Sequence, residues 1–258
     1  MSHNLFGCAC KVAARSRCGH VMAKHPVLEI CVDSVESAIA AQVGGADRVE
    51  LCANLNEDGT TPSAGMIEVA RKNLAIGLQV LIRPRSGDFC YSGLEFETMK
   101  KDIAVARELG ADGVVFGILN PDRAIDVRRT RELAEFARPL QVTFHRAFDV
   151  VADPWSALEN LVSLRIARVL TSGQARTAMK GLTRLTQLAQ KADGRISIMP
   201  ASGINTQNIR RILATRGVYE IHIGSAVAGI KKDSPAELFP AARGVVEAKK
   251  VRDLRRYM

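Results

Sequence analysis

A chain of 258 residues that is 47% hydrophobic and 24% charged has the make-up of a folded globular protein, long enough for one large domain or two small ones. Its formal charge of +9 is distributed, with local concentrations only at Arg123 to Arg131 and Lys249 to Arg256, and aromatics are 5% of the chain and are not interleaved with those basic residues. That pattern argues against a stacking platform for nucleic acid, and no apolar run approaches the length of a membrane span, so neither is an expected partner.

In chain order, the stretch from 1 to 28 carries Lys11, Arg15, Arg17 and Lys24, three cysteines (Cys8, Cys10, Cys18) and no acidic residue. Residues 1–26 are therefore expected to be a basic, disordered extension. The same composition suits an organelle transit peptide, which leaves targeting open. Six cysteines in a chain of this size, without a signal sequence, fit a reducing cytoplasm better than a disulfide framework.

From residue 28 the chain alternates short β-rich runs with amphipathic helical stretches. The runs fall at 28–32, 48–52, 78–83, 113–118, 140–145, 168–172, 195–200 and 219–223. Between them, "SVESAIAAQVGGA" offers Ser34 as an N-cap, and "LEFETMKKDIAVARELGA" ends at Gly110 as helices end. "GADRVELC" and "GADGVVFG" each read as a helix stop feeding straight into a strand. Strand, helix, strand, repeated eight times, predicts an α/β fold of the (β/α)8 TIM type as a single domain over 27–258. An open doubly wound sheet is the competing architecture, but "CVDSVESA" after the first strand has no glycine-rich approach for a pyrophosphate. The tail 228–258 is expected to form a final helix closing the barrel, followed by a basic end.

In such a barrel, function is built at the C-terminal ends of the strands. If Leu28, Ile30, Val32, Val49 and Leu51 face the helices, then Glu29, Cys31, Glu50 and Cys52 face inward, by the two-residue period of a strand. The same alternation sends Arg83 and Arg85 to one face after strand three, Thr143 and His145 inward on strand five with Asp149 just beyond, and Glu220 and His222 inward on strand eight. The expected mouth thus holds Glu29, Glu50, Arg83, His145 and His222 with two thiols. Burying so many polar groups unpaired would cost several kcal/mol in total on rough transfer estimates, so their convergence reads as a site. "MPASGI" and "HIGSA" add small residues (Ser202, Gly203, Gly224, Ser225) where barrels often hold an anion on backbone amides, with Arg85 as a further anion-binding candidate.

The motifs "LEICVDSVESAIAAQVGGADRVELCANLNEDGTTPSAGMI", "LIRPRSGDFCYS", "DGVVFG", "VTFHRAFDVVADPWSALE" and "RVLTSGQA" closely resemble the CutC family of copper homeostasis proteins, in order and across roughly residues 27–226. The resemblance implies a TIM-type barrel, a cytoplasmic setting and a part in copper tolerance or trafficking. It also implies that Cys31 and Cys52 match the family's two cysteines proposed as Cu(I) ligands. Soft thiolates select Cu(I), and neighbouring strands run about 4.8 Å apart, although barrel shear can set inward residues of adjacent strands at different heights. Where family members carry "MPGGG" this chain has "MPASGI", and the serine of "HIGSA" lies further from its histidine than in the family.

Two functions follow. The first is Cu(I) binding and handling through Cys31 and Cys52. The second is an enzyme of unassigned reaction on a small anionic metabolite, carboxylate or phosphate, with Glu50, Arg83, His145 and His222 as catalytic candidates. Barrels of this kind also self-associate, so a homo-oligomer is expected.

Overall fold

The computed structural model describes residues 25–232 and 242–258. Apart from His25 and Pro26, the expected N-terminal extension with Cys8, Cys10 and Cys18 lies outside the described residues. Each apolar run forms a strand: β1 (Val27–Val32), β2 (Arg48–Leu51), β3 (Gly77–Leu81), β4 (Gly113–Phe116), β5 (Gln141–Phe144), β6 (Arg168–Thr171), β7 (Ser197–Pro200) and β8 (Glu220–Ile223). They alternate with α1 (Val35–Val43), α2 (Ala64–Asn73), α3 (Gly93–Glu108), α4 (Val127–Phe136), α5 (Pro154–Ser163), α6 (Leu182–Ala192) and α7 (Ile209–Leu213). Every hydrogen-bonded neighbour in the order β7-β6-β5-β4-β3-β2-β1-β8 is parallel. β7 and β8 pack side by side at the remaining seam, so the sheet curls into a nearly closed TIM-type barrel.

Local chemistry sets the element ends. Ser34, Ser63 and Ser92 cap α1, α2 and α3 through their hydroxyls, and Glu95 completes a capping box with Ser92. After α1 and α3 the chain turns at Gly45 and Gly110, with φ of +93° and +84°, a region that glycine enters freely. The aspartate that follows each turn then clips back onto the preceding strand: Asp47 accepts the Leu28 N–H at 2.7 Å, and Asp112 accepts the Leu78 N–H at 2.8 Å. The two "GAD" segments are therefore helix stops that also fix the height of the strands.

The tail departs from expectation. The helix expected over 228–258 is confined to α8 (Ala248–Arg255), while Ala228–Lys232 (β9) and Ala242–Val246 (β10) pair antiparallel. Glycines and β-branched residues in "AGIKK" and "ARGVV" favour extended pairing over a helix, and residues 233–241 lie outside the described residues. α8 docks on α1, burying Val251 and Leu254, and a Cβ on Gly44 would fall 2.4 Å from that of Val251.

Two cores result from strand alternation. Leu28, Ile30, Val49, Leu78, Phe116, Phe144, Val169 and Ile221 point outward and bury against the helices, each contributing about 1.5–3 kcal/mol. The barrel interior is largely polar at its N-terminal end. There Arg48 pairs with both Glu29 and Glu220, and Arg168 bonds Glu220 at 3.1 Å, the Thr143 hydroxyl at 3.2 Å and the Gln141 carbonyl at 2.6 Å. Two guanidinium groups and two carboxylates thus close the barrel floor, where mutual pairing makes burial tolerable.

Burial raises the pKa of Glu29 and Glu220, but the surrounding arginines outweigh it and hold both carboxyls below the usual range. A depressed folded pKa contributes stability above the ordinary value of 4.5 that is lost as pH falls. Glu29→Gln, which breaks a buried pair, is expected to cost about 3 kcal/mol at pH 7 in urea unfolding and to flatten the loss of stability between about pH 5 and 3. An unchanged urea midpoint would show that the floor pairing is not what holds the interior.

Candidate metal centre

The site sits directly above that floor and is tied to it by one residue. Glu29 uses Oε2 for Arg48 below and Oε1 for His222 Nδ1 above, at 2.7 Å. Register explains the reach, since Glu29 is the ladder partner of both Arg48 on β2 and His222 on β8. One step up, Cys31 is the partner of Glu50, and Cys52 follows two residues later on the same inward face.

The two sulfurs lie 3.8 Å apart, and neither belongs to a disulfide. Cys52 is fully buried and its Sγ donates to the Val32 carbonyl at 3.3 Å. Cys31, Glu50 and His222 each offer a donor atom, all within 4.8 Å of one another. Glu50 Oε2 is buried without a hydrogen-bond partner, 3.3 Å from His222 Nδ1. The result is a compact set of two sulfurs, an imidazole and a carboxylate, with one acceptor oxygen left over.

Electrostatics in this set are shared. Its hydrogen bond to Cys52, with burial, pushes the Cys31 thiol well above the ordinary value, so Cys31 keeps its proton in the metal-free site. Burial opposes charge on His222, yet contacts with Cys31 and Glu29 and the charge of Glu50 raise its pKa well above 6.5. Burial pushes Glu50 up to about 7, with the neighbouring Glu29 charge adding to the shift. A soft, two-sulfur pocket with a proton-accepting carboxylate beside it suits a thiophilic cation. On metal–sulfur bonds of about 2.3 Å, the zinc value, sulfurs 3.8 Å apart can already share one ion at a bent angle, and a linear bridge needs under about 1 Å of adjustment.

A loop covers the thiols. After β2 the chain turns through Asn54, Asp58 and Gly59, all with positive φ, and a Cβ on Gly59 would strike Leu81 and lie 3.7 Å from Cys52 Sγ. Arg83 holds this loop down by donating to the Glu57 and Gly59 carbonyls at 2.9 and 2.8 Å, and to Gly87 at 2.9 Å.

The remaining candidates divide. Glu29 and Glu220 face inward as expected but belong to the floor and to its junction with the site, below the mouth proper. Arg83 and His145 are buried on the β3 and β5 side. Arg85 turns away from Arg83 and engages Asp88, Glu95 and the Ser86, Asp88 and Cys90 carbonyls. Asp149 accepts from Thr171, from the Ser172 hydroxyl and amide and from the Gln174 amide, so it organises the loop after β6. Ser202 donates to the Arg176 carbonyl at 2.9 Å, and Gly203 is pressed against Thr177, where a Cβ would come within 2.7 Å. Gly224 lies against Cys31, a Cβ there falling 3.8 Å from the Cys31 Cβ, and Ser225 is exposed in the next turn. Arg48, Arg168 and Gln79 complete the interior, with Gln141 bonding Arg168 from the exposed start of β5, and none of them was singled out in the sequence. The inward placement of the first three follows the same alternation that exposed Glu50 and His145.

Comparison with known proteins points to one family. A human protein called copper homeostasis protein cutC homolog is 52% identical over 196 residues, 76% of this chain and 72% of its own length. A CutC family protein of Chromobacterium violaceum is 51% identical over 196 residues, 76% of this chain and 79% of that one. A crystal structure titled a putative copper homeostasis protein CutC from Streptococcus agalactiae is similar with a TM-score of 0.73 and 34% identity, over 77% of this chain and 98% of that one. The model of the CutC family matches residues 26–227, with Cys31, Cys52 and His222 inside that span, and the chain belongs to this family.

Proposed function

We propose that this chain serves copper homeostasis by taking up a single Cu(I) ion as cargo between Cys31 and Cys52. The observation that carries the reading is the approach of two free, inward thiols to 3.8 Å at the C-terminal end of adjacent strands. Thiolate is the side-chain ligand that selects Cu(I), and relatives named for copper homeostasis share more than half of the aligned sequence. Glu50 stands where a proton displaced from the thiols can be received, and the positively charged His222 ring beside Cys31 favours the thiolate. The pinned loop over Cys52 and the surrounding apolar residues Leu81 and Val115 limit water and competing hard ligands. Such a site works where thiols stay reduced, which favours a reducing compartment such as the cytoplasm.

The test is a competitive Cu(I) titration under reducing conditions on the wild type and on Cys31→Ser with Cys52→Ser. One equivalent is expected to bind the wild type, with affinity at least about 100-fold lower in the double variant and the fold unchanged by circular dichroism. Because both thiols must lose a proton, affinity should rise with pH over the range from 6 to 8, by up to about tenfold per unit for each proton released. Equal affinity in the two proteins, or affinity independent of pH, would contradict the assignment.

A further inference from the structure

Across the mouth from the cysteines, on the β3 to β5 side, three buried polar atoms have no hydrogen-bond partner: Arg83 Nε, the Tyr91 hydroxyl and His145 Nε2. Their residues are 4%, 5% and 6% exposed. Each unpartnered group costs on the order of 1–3 kcal/mol, so three together on one side of a barrel mouth are unlike ordinary packing.

All three can donate. The Ala147 amide donates to His145 Nδ1 at 3.1 Å, which makes Nδ1 the acceptor and leaves the ring proton on Nε2. Burial and the Arg83 charge push the His145 pKa down to about 3, so the ring stays neutral with that one donor. Burial pushes the Tyr91 pKa up to about 12, so the hydroxyl keeps its proton. Arg83 donates its Nη atoms to three backbone carbonyls and retains a full positive charge, yet no carboxylate pairs with it among the described residues. A buried, uncompensated cation calls for an anion.

Arg83 and His145 meet on Phe89. The Arg83 guanidinium stacks over the Phe89 ring at 5.3 Å, the His145 ring lies 4.9 Å from it on the β5 side, and Tyr91 follows two residues along the same segment. Arg83 is also the charge that acts most strongly on both His145 and Tyr91. His145 packs against Gly117, where a Cβ would come within 2.6 Å of Nδ1, and the Ala147 amide on Nδ1 orients the ring. The orphaned acceptors of the interior, Glu50 Oε2 and Gln79 Oε1, belong to neighbouring positions on β2 and β3 instead. Interior donors and acceptors are thus segregated into two poles.

We propose that Arg83, Tyr91 and His145 form an oxyanion site that holds the carboxylate or phosphate group of a small metabolite, separate from the thiol pair. The site is independent of copper, though Arg83 also pins the loop over Cys52 and so places the two poles on either side of one mouth.

The probes are inorganic phosphate and acetate, each titrated at constant ionic strength into protein labelled with 15N-histidine, with the His145 Nε2–H resonance as readout. A saturable shift with at least one probe is expected, a response to phosphate alone assigning a phosphate group and a response to acetate alone a carboxylate. Tyr91→Phe, which keeps the ring, should weaken binding at least fivefold with little change in melting temperature, while Cys31→Ser with Cys52→Ser should leave it unchanged. No saturable shift with either probe would mean that ordered water satisfies the three donors and would overturn the proposal. So would equal affinity in Tyr91→Phe, which would mark an adventitious ion only.

Discussion

The two oxygens of Glu29 face in opposite directions along the barrel, one to the Arg48 guanidinium of the floor and one to the His222 ring of the site. The His222 side of the mouth is positioned by that division. A carboxylate buried at this depth remains charged only because both oxygens are satisfied by cationic or proton-bearing partners. Held this way, it orients the His222 ring, and His222 in turn stands beside Cys31 and Glu50. The floor network is therefore more than a plug. It carries a fixed electrostatic reference up to the thiols.

Above this reference the barrel separates soft chemistry from hard. The β1, β2 and β8 side offers sulfur, imidazole and carboxylate, which suit a thiophilic cation; the β3 to β5 side offers guanidinium, phenol and imidazole N–H, which suit an oxyanion. Arg83 joins the two sides mechanically, since the carbonyls it grips belong to the loop resting on Cys52. Loss of its charge would release that cover as well as empty the donor cluster.

Most of the architecture was legible because a strand's two-residue period and a helix's stop signals are local. Eight apolar runs, the Ser34 cap and the "GAD" turns needed no long-range information. Alternation likewise identified which face Glu29, Cys31, Glu50, Cys52, His145 and His222 occupy. It does not give height along the barrel. Glu29 therefore reads as a mouth residue, while Arg48 and Arg168, on the same inward faces at the strand starts, passed unremarked although they supply the countercharges to it and to Glu220. Stagger between strands decided that Cys31 and Cys52 meet, and only tertiary structure fixes that. Arg85 and Tyr91 were illegible for a different reason: beyond the end of β3 the chain no longer alternates, so Arg85 turns to Asp88 and Glu95 while Tyr91 turns inward. In the tail, an apparently helical run was overruled by hairpin pairing between β9 and β10.

The central claim is that one copper ion is shared by the two thiols above Glu29. It is tested most directly by X-ray absorption at the copper edge on protein loaded with one equivalent of Cu(I). Two sulfur neighbours are predicted, falling to one in Cys31→Ser or Cys52→Ser. A first shell of nitrogen and oxygen alone, or a sulfur count that neither substitution changes, would contradict it.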